Sequence, residues 1–278
     1  MNDIIEELKN HFERLKSELI SIVPMMALLK NKEWNNLKNR IIKRISPVAK
    51  DDNISSYIFI DYVIGVKSTN PDVRSHSKKF VKSFNKLAKR IMDESEKSLH
   101  QKIKIVFKNL FITGDDDMCG GNSDFKNRLN ELLTIDYFNQ CDNVQIIEIE
   151  KPLKNKKTVD IILKHKNGDI IGVEILTLQN IDPFKQQDNE SMTDFLFGRI
   201  KKKYEDKTKG LVKIDDLDNL LILPIVEYAN GLETYKFTYD SQLSTPIMCS
   251  HLNYNNGDCE MVLSEINQYL ENLHTRNV

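Results

Sequence analysis

TVDIILKHKNGDIIGVEILT, residues 158–177, reads as a β-hairpin. Lys166-Asn167-Gly168 forms a three-residue loop, with Gly168 at the position that needs a left-handed backbone. In that register Ile161 faces Val173, Leu163 faces Ile171 and Val159 faces Ile175, so each apolar residue meets another. A two-residue Asn-Gly turn would slip the pairing by one and set Ile161 against Glu174, which is costly where one face is buried. The accepted register places Asp160 directly across from Glu174. Two carboxylates that close repel unless a cation lies between them or one is protonated. The pair therefore points first to a divalent-metal site.

Outward from the hairpin the elements alternate. Residues 124–138 read as an amphipathic helix with Phe125, Leu129, Leu132 and Leu133 as its apolar stripe, and Ser123 or Asp124 is placed to cap it. A strand is expected over 144–149, then the hairpin, a polar loop over 179–190 and a helix over 192–207. Residues 220–226 (LLILPIV) read as a buried strand that bends or ends at Pro224. Residues 227–258 are ambiguous and read as loops and short strands, and 260–273 read as a closing helix. The order is α-β-β-β-α-β, a mixed sheet with flanking helices.

Before residue 110 the chain reads as helical. Ile4, Ile5, Leu8, Phe12, Leu15, Leu19 and Ile20 recur at helical spacing. A second helix is expected over 25–45, and a short one over 54–64, where Tyr57-Ile58-Phe59-Ile60 could equally be a strand. Another starts at Asn70-Pro71-Asp72 and runs through Phe80, Phe84, Leu87 and Ile91, as far as Leu110 at its longest. TGDDDMCGGNS, residues 113–123, is a linker. It divides a helical region, 1–115, from an α/β domain, 116–278.

Composition excludes several classes. A net charge of −1 shows no global basic field, and 40% apolar with 29% charged residues is ordinary for a globular chain. The longest apolar run, residues 22–29, is interrupted by Pro24 and is too short to span a bilayer, so no membrane role is expected. The first sixteen residues are charged at helical spacing and carry no signal-peptide hydrophobic run. Cys119, Cys141, Cys249 and Cys259 show no CxxC spacing, so a zinc site or disulfide framework is not expected, and reduced thiols in the cytoplasm are. His165, His251 and His274 have no ligand spacing, and Asp115-Asp116-Asp117 lacks the alternation of a calcium loop. The runs 199–207 and Lys78, Lys79, Lys82, Lys86, Lys89, Arg90 read first as solvated helix faces.

The element order, with an acid on the first helix and on the second and third strands, resembles the PD-(D/E)xK nuclease superfamily, the restriction-endonuclease-like fold. The resemblance covers residues 125–226. It implies a restriction-endonuclease-like αβββαβ core behind a helical N-terminal region. Asp160 stands where that family places its principal metal ligand, Glu174 at the acid of (D/E)xK, and Glu131 at the helical glutamate. The implied cofactor is Mg²⁺ or Mn²⁺ and the implied substrate is DNA or RNA. The motif lysine is missing, since position 176 is Leu176, and position 159 is Val159 in place of the motif proline. Some members of the superfamily carry that lysine on the following helix, where Lys203 or Lys202 is the candidate here and Lys207 lies one turn beyond Lys203.

The chemistry can be stated without the family. Mg²⁺ prefers oxygen ligands and keeps several waters, which suits phosphodiester hydrolysis. Asp160 and Glu174 would hold it, the Ile175 carbonyl could add a ligand, and Glu131 would hold a water or a second ion. A lysine ammonium would offset transition-state charge. Three functions stand against one another: a metal-dependent nuclease, a nuclease-like scaffold without activity that binds or supports, and a helical interaction protein with an α/β scaffold. In the first, the helical region would bind substrate, a protein partner or a second copy.

Overall fold

Two local features shape the hairpin in the computed structural model, which describes residues 11–45, 59–112, 123–178, 189–209, 211, 217–227, 246–255 and 258–269. Gly168 has φ +100°, and its N–H donates to the His165 carbonyl at 2.9 Å, while His165 N–H donates to Asp169 at 2.9 Å. The loop is therefore the expected Lys166-Asn167-Gly168. Strand β2 (Thr158–His165) and strand β3 (Ile170–Leu178) pair antiparallel with Ile161 opposite Val173 and Leu163 opposite Ile171. The third expected pair, Val159 with Ile175, does not form. The ladder ends at Ile161 and Val173, and the Ile175 N–H is taken instead by the Asp160 carboxylate.

β1 (Val144–Pro152) pairs antiparallel with β2 through a bulge between Ile146 and Glu148. β4 (Asn219–Glu227) runs parallel to β3 along its whole length, and β5 (Met248–Asn255) runs parallel to β4 from Ile225. With β6 (Asp258–Glu265) they make one mixed sheet in the order β1-β2-β3-β4-β5-β6. Two expectations fail here. Strand β4 neither ends nor turns away at Pro224, which pairs with Leu176; the ladder to β5 begins one residue later, so the missing N–H falls where that side is still unpaired. Residues 258–265 are a strand, not the start of a closing helix, because Cys259, Met261 and Leu263 bury alternately. Helix occupies only residues 266–269 of the described remainder.

The helices are α1 (Phe12–Ile22), α2 (Asn31–Ile45), α3 (Phe59–Gly65), α4 (Pro71–Glu94), α5 (His100–Ile112), α6 (Ser123–Asn139) and α7 (Asn189–Thr208). Asn70 starts α4 as expected: its side-chain oxygen accepts the Asp72 N–H at 2.9 Å, and Pro71 supplies the fixed φ of the first turn. The helix expected over 25–45 is divided. A 3-10 turn, Pro24–Leu28, precedes α2, and the Glu33 carboxylate reaches back to accept the Lys30 N–H at 2.6 Å. The longest reading of α4 is also cut short, since Glu96 turns extended (ψ 135°) before α5 begins. Phe59 lies in a helix, which decides the strand alternative for that residue.

The chain divides into two compact units whose members are not contiguous. One gathers residues 1–90, 103–129 and 254–260; the other gathers 91–102, 130–253 and 261–278. In the first, Phe59 packs against Phe84 and Phe111 with ring centroids 4.6 and 5.0 Å apart, and Tyr62 stacks on Phe80 at 3.8 Å. The second holds the sheet core, in which Ile162, Leu176, Leu178, Ile222 and Val226 pack with Leu196 of α7. Of the expected linker, 113–123, and polar loop, 179–190, residues 113–122 and 179–188 lie outside the described residues, whereas Ser123 opens α6 and Asn189 and Glu190 open α7; the part of the first expected helix before residue 11 also lies outside them. No helix among the described residues is long and apolar enough to cross a membrane.

Candidate functional site

The end of the β2–β3 ladder is where the acids lie. Asp160 and Glu174 are one step past the last pair, where β2 parts from β3. Asp160 Oδ2 accepts the Ile175 N–H at 2.8 Å, so the carboxylate replaces the strand partner that β2 no longer offers. Within a strand the N–H and C=O of one residue point to the same edge. The Ile175 carbonyl therefore faces the same gap.

Glu174 is 1% exposed, the most deeply buried acid of the described residues. Its Oε1 receives two ammonium groups from α7, Lys203 at 2.9 Å and Lys207 at 2.7 Å. These lysines are four residues apart, hence one above the other on a single helix face. Lys207 also donates to the Thr158 carbonyl at 2.6 Å, tying the start of β2 to the same contact. The C-terminal end of α7 is held by the β1–β2 turn, where the Asn155 amide donates to the Lys207 carbonyl at 2.8 Å. Lys157 of that turn pairs with Asp206 at 2.9 Å. The lysine expected beside the acids is thus Lys203, with Lys207 joining it. Lys202 is exposed on another side of the helix.

Burial and the neighbouring Glu174 charge push the Asp160 carboxyl up to about 6, against the pull of the Ile175 N–H and the two lysines. Glu174 Oε2 is buried with no hydrogen-bond partner among the described residues. A buried anionic oxygen left that way costs on the order of 1–3 kcal/mol or more. A cation shared by Asp160 and Glu174 would relieve both strains at once. The donor set fits a hard divalent ion, with two carboxylates, one of them holding a buried free oxygen, and a backbone carbonyl aimed into the gap.

Glu131 does not complete a triad. Among the described residues no three His, Cys, Asp or Glu side chains come together as a group able to hold a metal. Strand alternation explains it. Thr177 and Glu174 point to opposite faces of β3, and α6 reaches the Thr177 face, where the Asn130 amide donates to the Thr177 hydroxyl at 3.1 Å. Helix α7, carrying the lysines, packs on the Glu174 face. Glu131 follows Asn130 on α6, the helix of that other face. Leu176 shares the Glu174 face and is 8% exposed within the apolar core. The position where the motif would put a lysine therefore serves packing here.

Sequence reasoning did not foresee the Thr158 carbonyl as a lysine acceptor or Asn155 as the anchor of α7. Neither carries a signal in the sequence, since both depend on where a turn meets a helix distant in the chain. No family model matches this chain, and no curated protein matches it.

Proposed function

We propose that the protein is a metal-dependent phosphodiesterase acting on nucleic acid, with the restriction-endonuclease-like fold. The observation that carries the reading is the buried Glu174 with a free Oε2, facing a second carboxylate where two strands part. The order α6-β1-β2-β3-α7-β4, with β4 parallel to β3, supports the fold assignment. Asp160 and Glu174 would hold Mg²⁺ or Mn²⁺, which when bound supplies a water of lowered pKa and neutralises charge on the phosphoryl oxygens. Asp160 must lose its proton to bind it, so binding strengthens as pH rises through about 6. Lys203, half-exposed at the mouth of the pair, places an ammonium beside the attacked phosphate and steadies the growing negative charge. Lys207, more deeply set, holds Glu174 and the Thr158 carbonyl in place.

A second reading is favoured by a specific observation. Two lysines already neutralise Glu174, and Leu176 fills the motif position with core, an arrangement that suits a scaffold which binds without cleaving. Cleavage of mixed single- and double-stranded DNA and RNA in Mn²⁺ separates the two. The catalytic reading expects hydrolysis by the wild type, and its loss in Asp160→Asn and Glu174→Gln. Hydrolysis that persists in both variants removes these residues from the chemistry. A wild type that binds nucleic acid but cleaves nothing selects the scaffold.

A further inference from the structure

One flank of α7 has no part in the contacts above. Leu196, Ile200, Lys203 and Lys207 form its inward side. About a quarter-turn round the helix, Phe197 is 52% exposed and Tyr204 is 41% exposed. Seven residues apart, the two rings lie on one flank, separated by about 10.5 Å of helical rise. Lys201 is exposed between them on the same flank.

Neither ring serves the core, which Leu196 and Ile200 supply from the other side. An apolar ring left in water twice on one line, with a cation between, is a pattern for a partner with both flat apolar faces and negative charge. From residue 196 to 209 the sequence has six basic residues and two acidic ones. Of the six, Lys203 and Lys207 serve Glu174 and the exposed Lys201 lies 4.0 Å from Glu205, while Asp206 pairs with Lys157 at 2.9 Å; Arg199, Lys202 and Lys209 are exposed as well. The remaining field is positive and suits a polyanion.

We propose that this flank of α7 binds single-stranded nucleic acid, with Phe197 and Tyr204 stacking on bases and Lys201 meeting a phosphate between them. Every base offers a π-face, so such a platform is tolerant of sequence. A duplex keeps its base faces stacked inside and cannot use the rings, whereas an unpaired strand can. As a statement of substrate class this rests on the phosphodiesterase reading, because the same helix carries Lys203. As a binding surface it stands without it.

The test is fluorescence anisotropy of the full chain in EDTA, with labelled oligo-U and oligo-dT, a labelled duplex of mixed sequence, and heparin as a competitor of pure charge. The Phe197→Ala/Tyr204→Ala double variant is expected to lose affinity for single strands at least about tenfold. Duplex and heparin affinities stay unchanged, and Phe197→Tyr binds single strands as the wild type does. Wild type that binds no single strand overturns the inference, as does a double variant that binds single strands undiminished. An equal loss toward heparin also overturns it, since that marks a change in charge display or folding and not in stacking. Cleavage by Asp160→Asn is read beside it. Ring-dependent binding with cleavage unaffected by that substitution removes the proposed function and leaves the binding surface standing.

Discussion

Asp160 is a carboxylate whose ionisation works against the fold. Its pKa is raised from 3.8 to about 6, first by burial and then by the Glu174 charge. The native state therefore holds a proton that the unfolded chain has released between those values, and stability falls as pH rises through that window. Below about 3.8 the penalty is absent and above about 6 it is complete. Asp160→Asn keeps an oxygen for the Ile175 N–H and removes the charge. It is expected to stabilise the metal-free protein by about 1–2 kcal/mol at pH 7.5 and to leave it unchanged near pH 3.5, read as denaturant midpoints at the two pH values. An equal effect at both would mean that the charge is not the cause. Glu174 is held by two ion pairs from α7. Lys207→Met should cost about 2 kcal/mol or more, since Lys207 is 11% exposed and also serves Thr158. Lys203→Met, at a position 32% exposed, should cost under about 1 kcal/mol. Urea unfolding of the two variants measures the order, and the reverse order would contradict the burial argument.

The hairpin was the most legible element, because its turn chemistry and its apolar alternation agreed on one register. Gly168 is the point at which that agreement can be tested. At φ +100° with open space around it, Gly168→Ala meets no clash but must hold a conformation that L-residues avoid, so a loss of about 1 kcal/mol is expected in thermal unfolding. No loss would show that the loop relaxes to another turn. Helix α7 was legible in extent but not in its attachment. Asn155→Ala removes the amide that holds the Lys207 carbonyl, and about 1 kcal/mol of stability should go with it, together with faster amide exchange in the last turn of α7. Strand β6 was misread although its signal was present. Cys259, Met261 and Leu263 alternate, and Asn256-Gly257 precedes them, a common hairpin pair. Val262, Ile266, Tyr269, Leu270 and Leu273 recur at helical spacing in the same stretch, so a short segment carries both periods.

At the scale of the molecule the coarse class, helices followed by a mixed α/β sheet, could be read from the order of periodic segments. The partition into units could not. Residues 91–102 group with the sheet, and 103–129 and 254–260 with the helices, a division set by contacts between segments distant in sequence. In the helical unit, Asp258 accepts hydrogen bonds from Lys82 and Lys86, which hold its carboxyl down at about 2. Part of the basic run on α4 therefore serves an internal ion pair, where the sequence pattern read first as a solvated face. The candidate site was legible to the extent that both its carboxylates lie on neighbouring strands of one hairpin. Glu131 could not be placed from sequence, because helical position alone does not say which face of a sheet the helix covers. Direct measurement of Mn²⁺ binding by electron paramagnetic resonance at pH 7.5 tests the central claim that Asp160 and Glu174 form one ion site. The account predicts a single Mn²⁺ bound at millimolar concentration or below, abolished in Glu174→Gln and weakened at pH 5. Mn²⁺ binding that is absent from the wild type, or unchanged in Glu174→Gln, would contradict it.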